Sequence, residues 1–270
     1  MRFLYDDIPS TGAQITFYVI LSFFPFLIFL ITLLSYTPVI NIQESLAYLS
    51  QLLPQNAYKV VSDITGQAVL DRSGTLLSFG MVITLWSASN GVTAMIKGIN
   101  KSYDQEETRP FWKIILVSLT FTLGLAMVII FSLILIVFGR TLGNLLCYYL
   151  GFTDLFLDVW NNLRYVAALV TMLLVLVSLY FYIPNHRLRL IEVIPGSIFS
   201  TAGWIVTSLA FSYYANNFSN YSKIYGSIGG IIALLVWLYL SSIIILLGSE
   251  INASLSFARN GQVKPRPKVY

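Results

Sequence analysis

The chain has 270 residues, of which 57% are hydrophobic and only 10% charged, whereas about a quarter of residues are charged in an ordinary soluble domain. This composition excludes a soluble globular fold and places the chain in a membrane, where its length is counted in spans of about 20 apolar residues. The formal charge of +4 comes from short segments flanking the apolar runs, KPRPK among them, so there is no basic stripe suited to nucleic acid.

The start, MRFLYDDIPSTGAQ, carries Asp6 and Asp7 and lacks a small-residue cleavage site after its apolar run, so no cleaved signal peptide is expected. Hydropathy then predicts an all-α, polytopic membrane protein: a single transmembrane domain over residues 1–270 with six helices. The spans are Ile15–Tyr36, interrupted by Pro25, then Thr75–Lys97, Trp112–Phe138, Leu163–Ile183, Ile194–Tyr214 and Ser227–Ile251. With the amino terminus cytoplasmic, eleven of the sixteen basic residues fall inside, as the positive-inside rule requires, and both termini are cytoplasmic. The segment 37–74 becomes external. In it Ile42, Leu46, Leu49 and Leu53 share one helical face, Pro54 interrupts, and Ala57, Val60, Val61, Ile64 and Ala68 share another, which predicts two short amphipathic helices. They would cap the bundle, rest in the lipid interface or contact an envelope partner. The connection 139–162 reads as an interfacial segment, and residues 256–270 form a basic cytoplasmic tail. The two halves share no matching glycine or proline positions, so an inverted repeat is not supported.

Polar residues inside apolar spans are the best guide to a site, because each is costly in lipid and tends to face the bundle interior. Span one offers Gln14, Tyr18, Ser22 and Pro25 at spacings of four, four and three, which predicts a kinked helix with one polar face. In span two, LWSASNGVTAMIKGINKSY places Ser87, Asn90 and Ala94 on a small, polar stripe. Either interhelical hydrogen bonding or a substrate path accounts for it. Glu250 is the only acidic residue within the apolar extent of a span. It lies near the inner end of span six with Asn252 just beyond, and a basic partner among Arg109, Lys97 and Arg187 is expected. A second helix irregularity is expected at Pro195-Gly196. The segment NFSNYSKIYGSIGG forms a candidate outer mouth: Asn217, Asn220, Tyr221, Lys223, Tyr225, Gly226 and Gly229.

Catalytic constellations are absent from the sequence. The one histidine, His186, sits beside Arg187 and Arg189 without an orienting partner, and no clustered carboxylates, Gly-rich phosphate loop, G-x-S-x-G or His-Glu-x-x-His is present. The single cysteine, Cys147, permits no internal disulfide. No catalytic residue, no metal site and no cofactor is assigned.

Taken with TGAQITFYVILSFFPFLIFLITLL, LWSASNGVTAMIKGINKSYDQEETRPFW, YIPNHRLRLIEVIPGSIFSTAGW and NFSNYSKIYGSIGGIIALLVWLYLSSIIILLGSEINASL, the chain resembles the YihY/BrkB family of membrane proteins from about Thr11 to Leu255. Matched by position, the recurring residues of that family include Gln14, Tyr18, Ser22 and Pro25. They continue with Trp86, Ser87, Asn100, Tyr103, Glu107, Arg109 and Pro110, then Pro184, Asn185 and Arg187. The last block contributes Asn217, Tyr221, Lys223, Tyr225, Gly226, Gly229, Trp237, Gly248, Glu250 and Asn252. The resemblance implies a six-helix bacterial inner-membrane protein. Members have carried the labels virulence factor and ribonuclease BN, but RNA hydrolysis needs phosphate-binding and metal or acid–base residues that this chain does not assemble. The leading expectation is transport or movement of a lipid or amphipathic solute in the envelope, with Gln14, Tyr18, Ser22, Ser87, Asn90, Asn100, Arg109, Glu250 and Asn252 as interior polar residues. The alternative is a scaffold that docks envelope or division proteins. Membrane lipids are the expected partners, an envelope protein is a candidate, nucleic acid is not expected, and the oligomeric state is left open.

Overall fold

In a computed structural model of the chain, residues 5–35, 74–128, 154–186, 188–217 and 227–259 are described. They form six helices: α1 (Ile8–Ser35), α2 (Gly74–Ser102), α3 (Phe111–Val128), α4 (Asp154–Tyr182), α5 (Leu190–Asn217) and α6 (Ser227–Arg259). No strand occurs among the described residues. The predicted external amphipathic helices and the basic tail beyond Arg259 lie outside the described residues.

Local chemistry accounts for where these helices begin and end. Asp7 precedes α1 with φ 51°, a left-handed conformation that Asp tolerates better than most side chains. At the end of α2, Gln105 N–H bonds to Asn100 O and Asp104 N–H to Lys101 O, both at 3.0 Å, with Asp104 at φ 52°. This is a Schellman closure with Asp in the place usually held by Gly. Helix α4 stops before Pro184, which disfavours helical backbone at Ile183. Glu192 then caps α5 by accepting the Arg189 N–H at 2.9 Å, as the acidic residue of a capping box does.

The expectation of six membrane spans is corrected by the structure. Among the described residues four helices are long and apolar enough to cross a membrane: Ser78–Ser102, Phe111–Val128, Leu190–Tyr214 and Ile232–Arg259. In α4 the apolar run among the described residues is Val166–Tyr182, shorter than the 18 residues of Phe111–Val128. The stretch 154–162, expected to be an interfacial connection, is instead the amino-terminal part of α4. Pro25 and Pro195 both lie inside continuous helices.

The chain packs as two units. Unit one comprises Met1–Pro9, Met95–Ile205 and Ile243–Tyr270, and unit two comprises Ser10–Ala94 and Val206–Ser242. The core of unit one is built from Ile96, Ile99, Tyr103, Leu179, Tyr180, Ile183, Val193 and Leu246, all buried. In unit two, Ile15, Val92 and Ala94 are buried. A Cβ on Gly91 would lie 3.5 Å from Tyr18 Cβ, so α1 and α2 meet there at ordinary contact distance. Most of the remaining apolar surface faces outward. Trp86, Val206, Leu209 and Met127 are examples, as expected where the surrounding medium is hydrocarbon rather than water.

Candidate functional site

The polar residues of unit one gather at the ends of α2, α4, α5 and α6. A clasp joins the α2–α3 connection to the α4–α5 connection. Asn100, 2% exposed, accepts the Asn185 N–H at 2.7 Å through Oδ1 and donates through Nδ2 to Glu107 Oε2 at 2.8 Å. Glu107 in turn receives a forked pair from Arg109, Nε to Oε1 at 2.7 Å and Nη2 to Oε2 at 2.6 Å. It also accepts the Arg109 backbone N–H at 3.0 Å. Arg109 Nη2 continues to Ile183 O at 3.0 Å. Asn185 closes the circuit by donating to Thr108 Oγ1 at 2.7 Å and to Glu106 O at 3.2 Å. Bidentate guanidinium–carboxylate pairs are among the strongest hydrogen-bonded units in proteins. Here the Arg109 hydrogen bonds hold the Glu107 carboxyl below its ordinary value.

Beneath the clasp lies a buried hydroxyl and carboxylate group. Tyr103 is 3% exposed and its hydroxyl has no hydrogen-bond partner among the described residues. Burial first, then the charges of Glu192 and Glu250, push its ionisation upward. Glu250 is itself buried. Of the basic residues expected near it, Arg109 has its guanidinium engaged by Glu107 and Lys97 is exposed. Arg187 lies outside the described residues.

A third set ties α4, α5 and α6 together. Asn252 accepts the Gly196 N–H at 2.6 Å and donates to Val193 O at 3.1 Å, so one amide bridges the turn disturbed by Pro195, which has no N–H of its own. Tyr180 Oη donates to Ile245 O at 2.5 Å and lies 2.7 Å from Ser200 Oγ. Ser200 Oγ donates to Ile244 O at 3.0 Å. This close approach depends on two glycines. A Cβ on Gly196 would collide with Gly248 O, and one on Gly248 with Ser200 Oγ, Tyr180 Oη and Gly196 O.

Of the residues singled out in the sequence, Asn100 and Arg109 meet through Glu107, and Asn252 lies fully buried in unit one with Glu250. In unit two, Ser87 is fully buried, Asn90 is half-buried at the edge of the stripe, and Gly91 takes the central place instead. Gln14 lies on the exposed face of α1 rather than in the interior, and Tyr18 and Ser22 are half-buried. The Ser22 hydroxyl bonds to Val19 O at 2.8 Å, not to the Leu21 carbonyl that Pro25 releases. Of the candidate outer mouth, Asn217 ends α5 and Gly229 lies in the first turn of α6. Asn220, Tyr221, Lys223, Tyr225 and Gly226 lie outside the described residues. Tyr180, Ser200 and the pairing of Gly196 with Gly248 were not anticipated as a site. The spacing G-S-x-x-S from Gly196, a small-x-x-x-small pattern of the kind that lets membrane helices approach, was the available signal. His186 is exposed, and no group of three or more His, Cys, Asp or Glu placed to hold a metal occurs among the described residues.

Long apolar helices whose exposed faces are greasy and whose buried faces mix Ile, Leu and Val with Ser and Asn define a multi-pass α-helical membrane protein. The chain belongs to the virulence factor BrkB family, whose family model matches residues 1–269. It is 44% identical over 254 residues to the ribonuclease-like protein YfkH of Bacillus subtilis, covering 94% of this chain and 92% of that one. It is also similar to UPF0761 membrane proteins. One, from Alteromonas mediterranea, is 27% identical, with 94% of this chain and 84% of the relative covered. Another, from Aeromonas salmonicida, is 25% identical, with 94% and 86% covered. No solved structure matches the chain.

Proposed function

We propose that the protein moves a lipid or an amphipathic solute within the bacterial cell envelope, from a bundle in the inner membrane with both chain ends cytoplasmic. The observation that carries this reading is a set of buried hydroxyls. Ser87, Ser241 and Ser249 Oγ and Tyr103 Oη have no hydrogen-bond partner among the described residues. An unsatisfied polar group in a hydrocarbon surround costs up to several kcal/mol. A static bundle gains nothing from holding such groups, whereas the polar part of a bound or passing molecule would satisfy them, Ser87 and Ser241 within unit two and Tyr103 and Ser249 within unit one. The orientation draws support from charge. Eleven of the sixteen basic residues fall in the segments that this orientation places inside.

The ribonuclease-like name of the Bacillus subtilis relative does not transfer readily. The carboxylate nearest the clasp is committed to Arg109, and His186 is exposed without an orienting carboxylate among its described contacts. We therefore propose a non-enzymatic role. The test is transbilayer movement in vesicles containing the purified chain, with Glu250→Gln and Ser249→Ala beside it. Movement above that of protein-free vesicles, slowed by either substitution, is the expected result. Wild-type vesicles that behave as protein-free ones would remove the transport reading and leave the scaffold alternative.

A further inference from the structure

A cavity of about 460 Å³ lies in unit two between the carboxy-terminal part of α5 and the amino-terminal part of α6. Its walls come from Phe211 and Trp237, whose rings are tilted 32° to each other with centroids 5.9 Å apart, and its small residues are Ala210 and Ala233. Trp237 Nε1 donates to Ser208 Oγ at 3.2 Å, so the polar tip of the indole is engaged and its faces are left apolar. Only Thr207 and Tyr214 bring hydroxyls to the lining. A volume in this range is that of a small-molecule site. A polypeptide helix, about 10 Å across with a pitch of 5.4 Å, would fill it with little more than one turn, which argues against a partner helix.

We infer that this cavity is a seat for one acyl chain of a bilayer phospholipid, entered sideways from the lipid. Its rim is continuous with the lipid-facing surface of the protein. Val206 and Val236 line it and are 65% and 50% exposed, and both belong to spans that are long and apolar enough to cross a membrane. At that depth the abundant apolar species is the acyl chain. An apolar cavity does not hold water well, and left empty it forfeits the dispersion contacts of its lining. The seat deepens the lipid-movement reading and rests on it for its purpose: it would hold the tail of the lipid that is moved.

The experiment uses the full chain with Trp86, Trp112, Trp160 and Trp204 changed to Phe, so that Trp237 alone reports. It is titrated in detergent micelles with phosphatidylcholine brominated on its acyl chain. Quenching of Trp237 should saturate, and glycerophosphocholine, which has no tail, should not compete. Filling the cavity by Ala233→Phe, with Ala210→Leu as a second route should the first not fold, should weaken the apparent affinity at least about tenfold. Quenching that rises linearly with lipid and is unchanged in both filled variants would overturn the seat. Saturable quenching by a protein that moves no lipid sinks the transport reading and leaves the seat standing. Movement without saturable quenching does the reverse.

Discussion

Replacing Gly248 by alanine tests the close approach of α5 and α6 at Gly196 and Gly248. The new Cβ would lie 2.5 Å from Tyr180 Oη and 2.7 Å from Gly196 O, and it would also overlap Ser200 Oγ. Carbon–oxygen contacts settle near 3.3 Å or more, so α6 must retreat from its neighbours by about 0.6 to 0.8 Å. That retreat takes the Ser200 Oγ to Ile244 O bond, now 3.0 Å, out of range and stretches the Tyr180 to Ile245 bond. Overpacking costs about 1–3 kcal/mol, and each interhelical hydrogen bond lost in a membrane protein adds about 0.6 kcal/mol. The better helix propensity of alanine returns up to about 1 kcal/mol. The net expectation is a loss of about 1–3 kcal/mol. The assay is unfolding in mixed micelles with increasing sodium dodecyl sulfate, followed by far-ultraviolet circular dichroism. Gly124→Ala is the internal control: nothing lies within 4 Å of a Cβ there, so that change should be neutral or stabilising. If Gly248→Ala and Gly124→Ala unfold alike, the close packing of α5 on α6 is refuted.

Three further outcomes follow from the polar network. Asn252→Ala removes the bridge to Gly196 N and Val193 O and should lower stability by about 1–3 kcal/mol in the same assay, well beyond the effect of Asn90→Ala. The Glu107 carboxyl is held low chiefly by its hydrogen bond from Arg109, so its contribution is complete above the ordinary carboxylate value of 4.5 and is lost as pH falls through the lower folded value. Wild type should therefore lose stability on acidification more steeply than Glu107→Gln; parallel pH profiles would show that the clasp carries no net stability. Ser249→Ala deletes a buried hydroxyl without a partner among the described residues, so it should leave stability unchanged or raise it by up to about 1 kcal/mol while slowing lipid movement. A variant that is both less stable and as active as wild type would speak against a pathway role for that hydroxyl.

How much of this could be read beforehand depended on the kind of signal. The helical, membrane-bound class followed from composition, and α6 from an uninterrupted apolar run. The end of α4 was legible in Pro184, whereas the start of α5 at Leu190 lies ahead of the span expected from Ile194. The span count was overestimated: six hydropathy windows were read as spans, whereas four helices among the described residues are long and apolar enough to cross a membrane. Glu250 was marked as the acidic residue inside a span, and it is buried; charge and side of the membrane left Arg109, Lys97 and Arg187 all open as partners. Glu107, only two residues from Arg109, has the shorter tether and takes the guanidinium fork. Gly91 displaced Asn90 from the centre of the α2 stripe because closeness to α1 selects the smallest residue, and polarity was the wrong criterion there. The mutual contact of Gly196 and Gly248, 52 residues apart, could not be read from either helix alone.

The most direct test of the account is the transbilayer movement of a headgroup-labelled phospholipid in vesicles bearing the purified full-length chain, read by a quencher that does not cross the membrane. The account predicts that quenching proceeds beyond the outer-leaflet lipid into the inner leaflet, and more slowly with Ser249→Ala. Quenching that stops at the outer leaflet, as in protein-free vesicles, would contradict it.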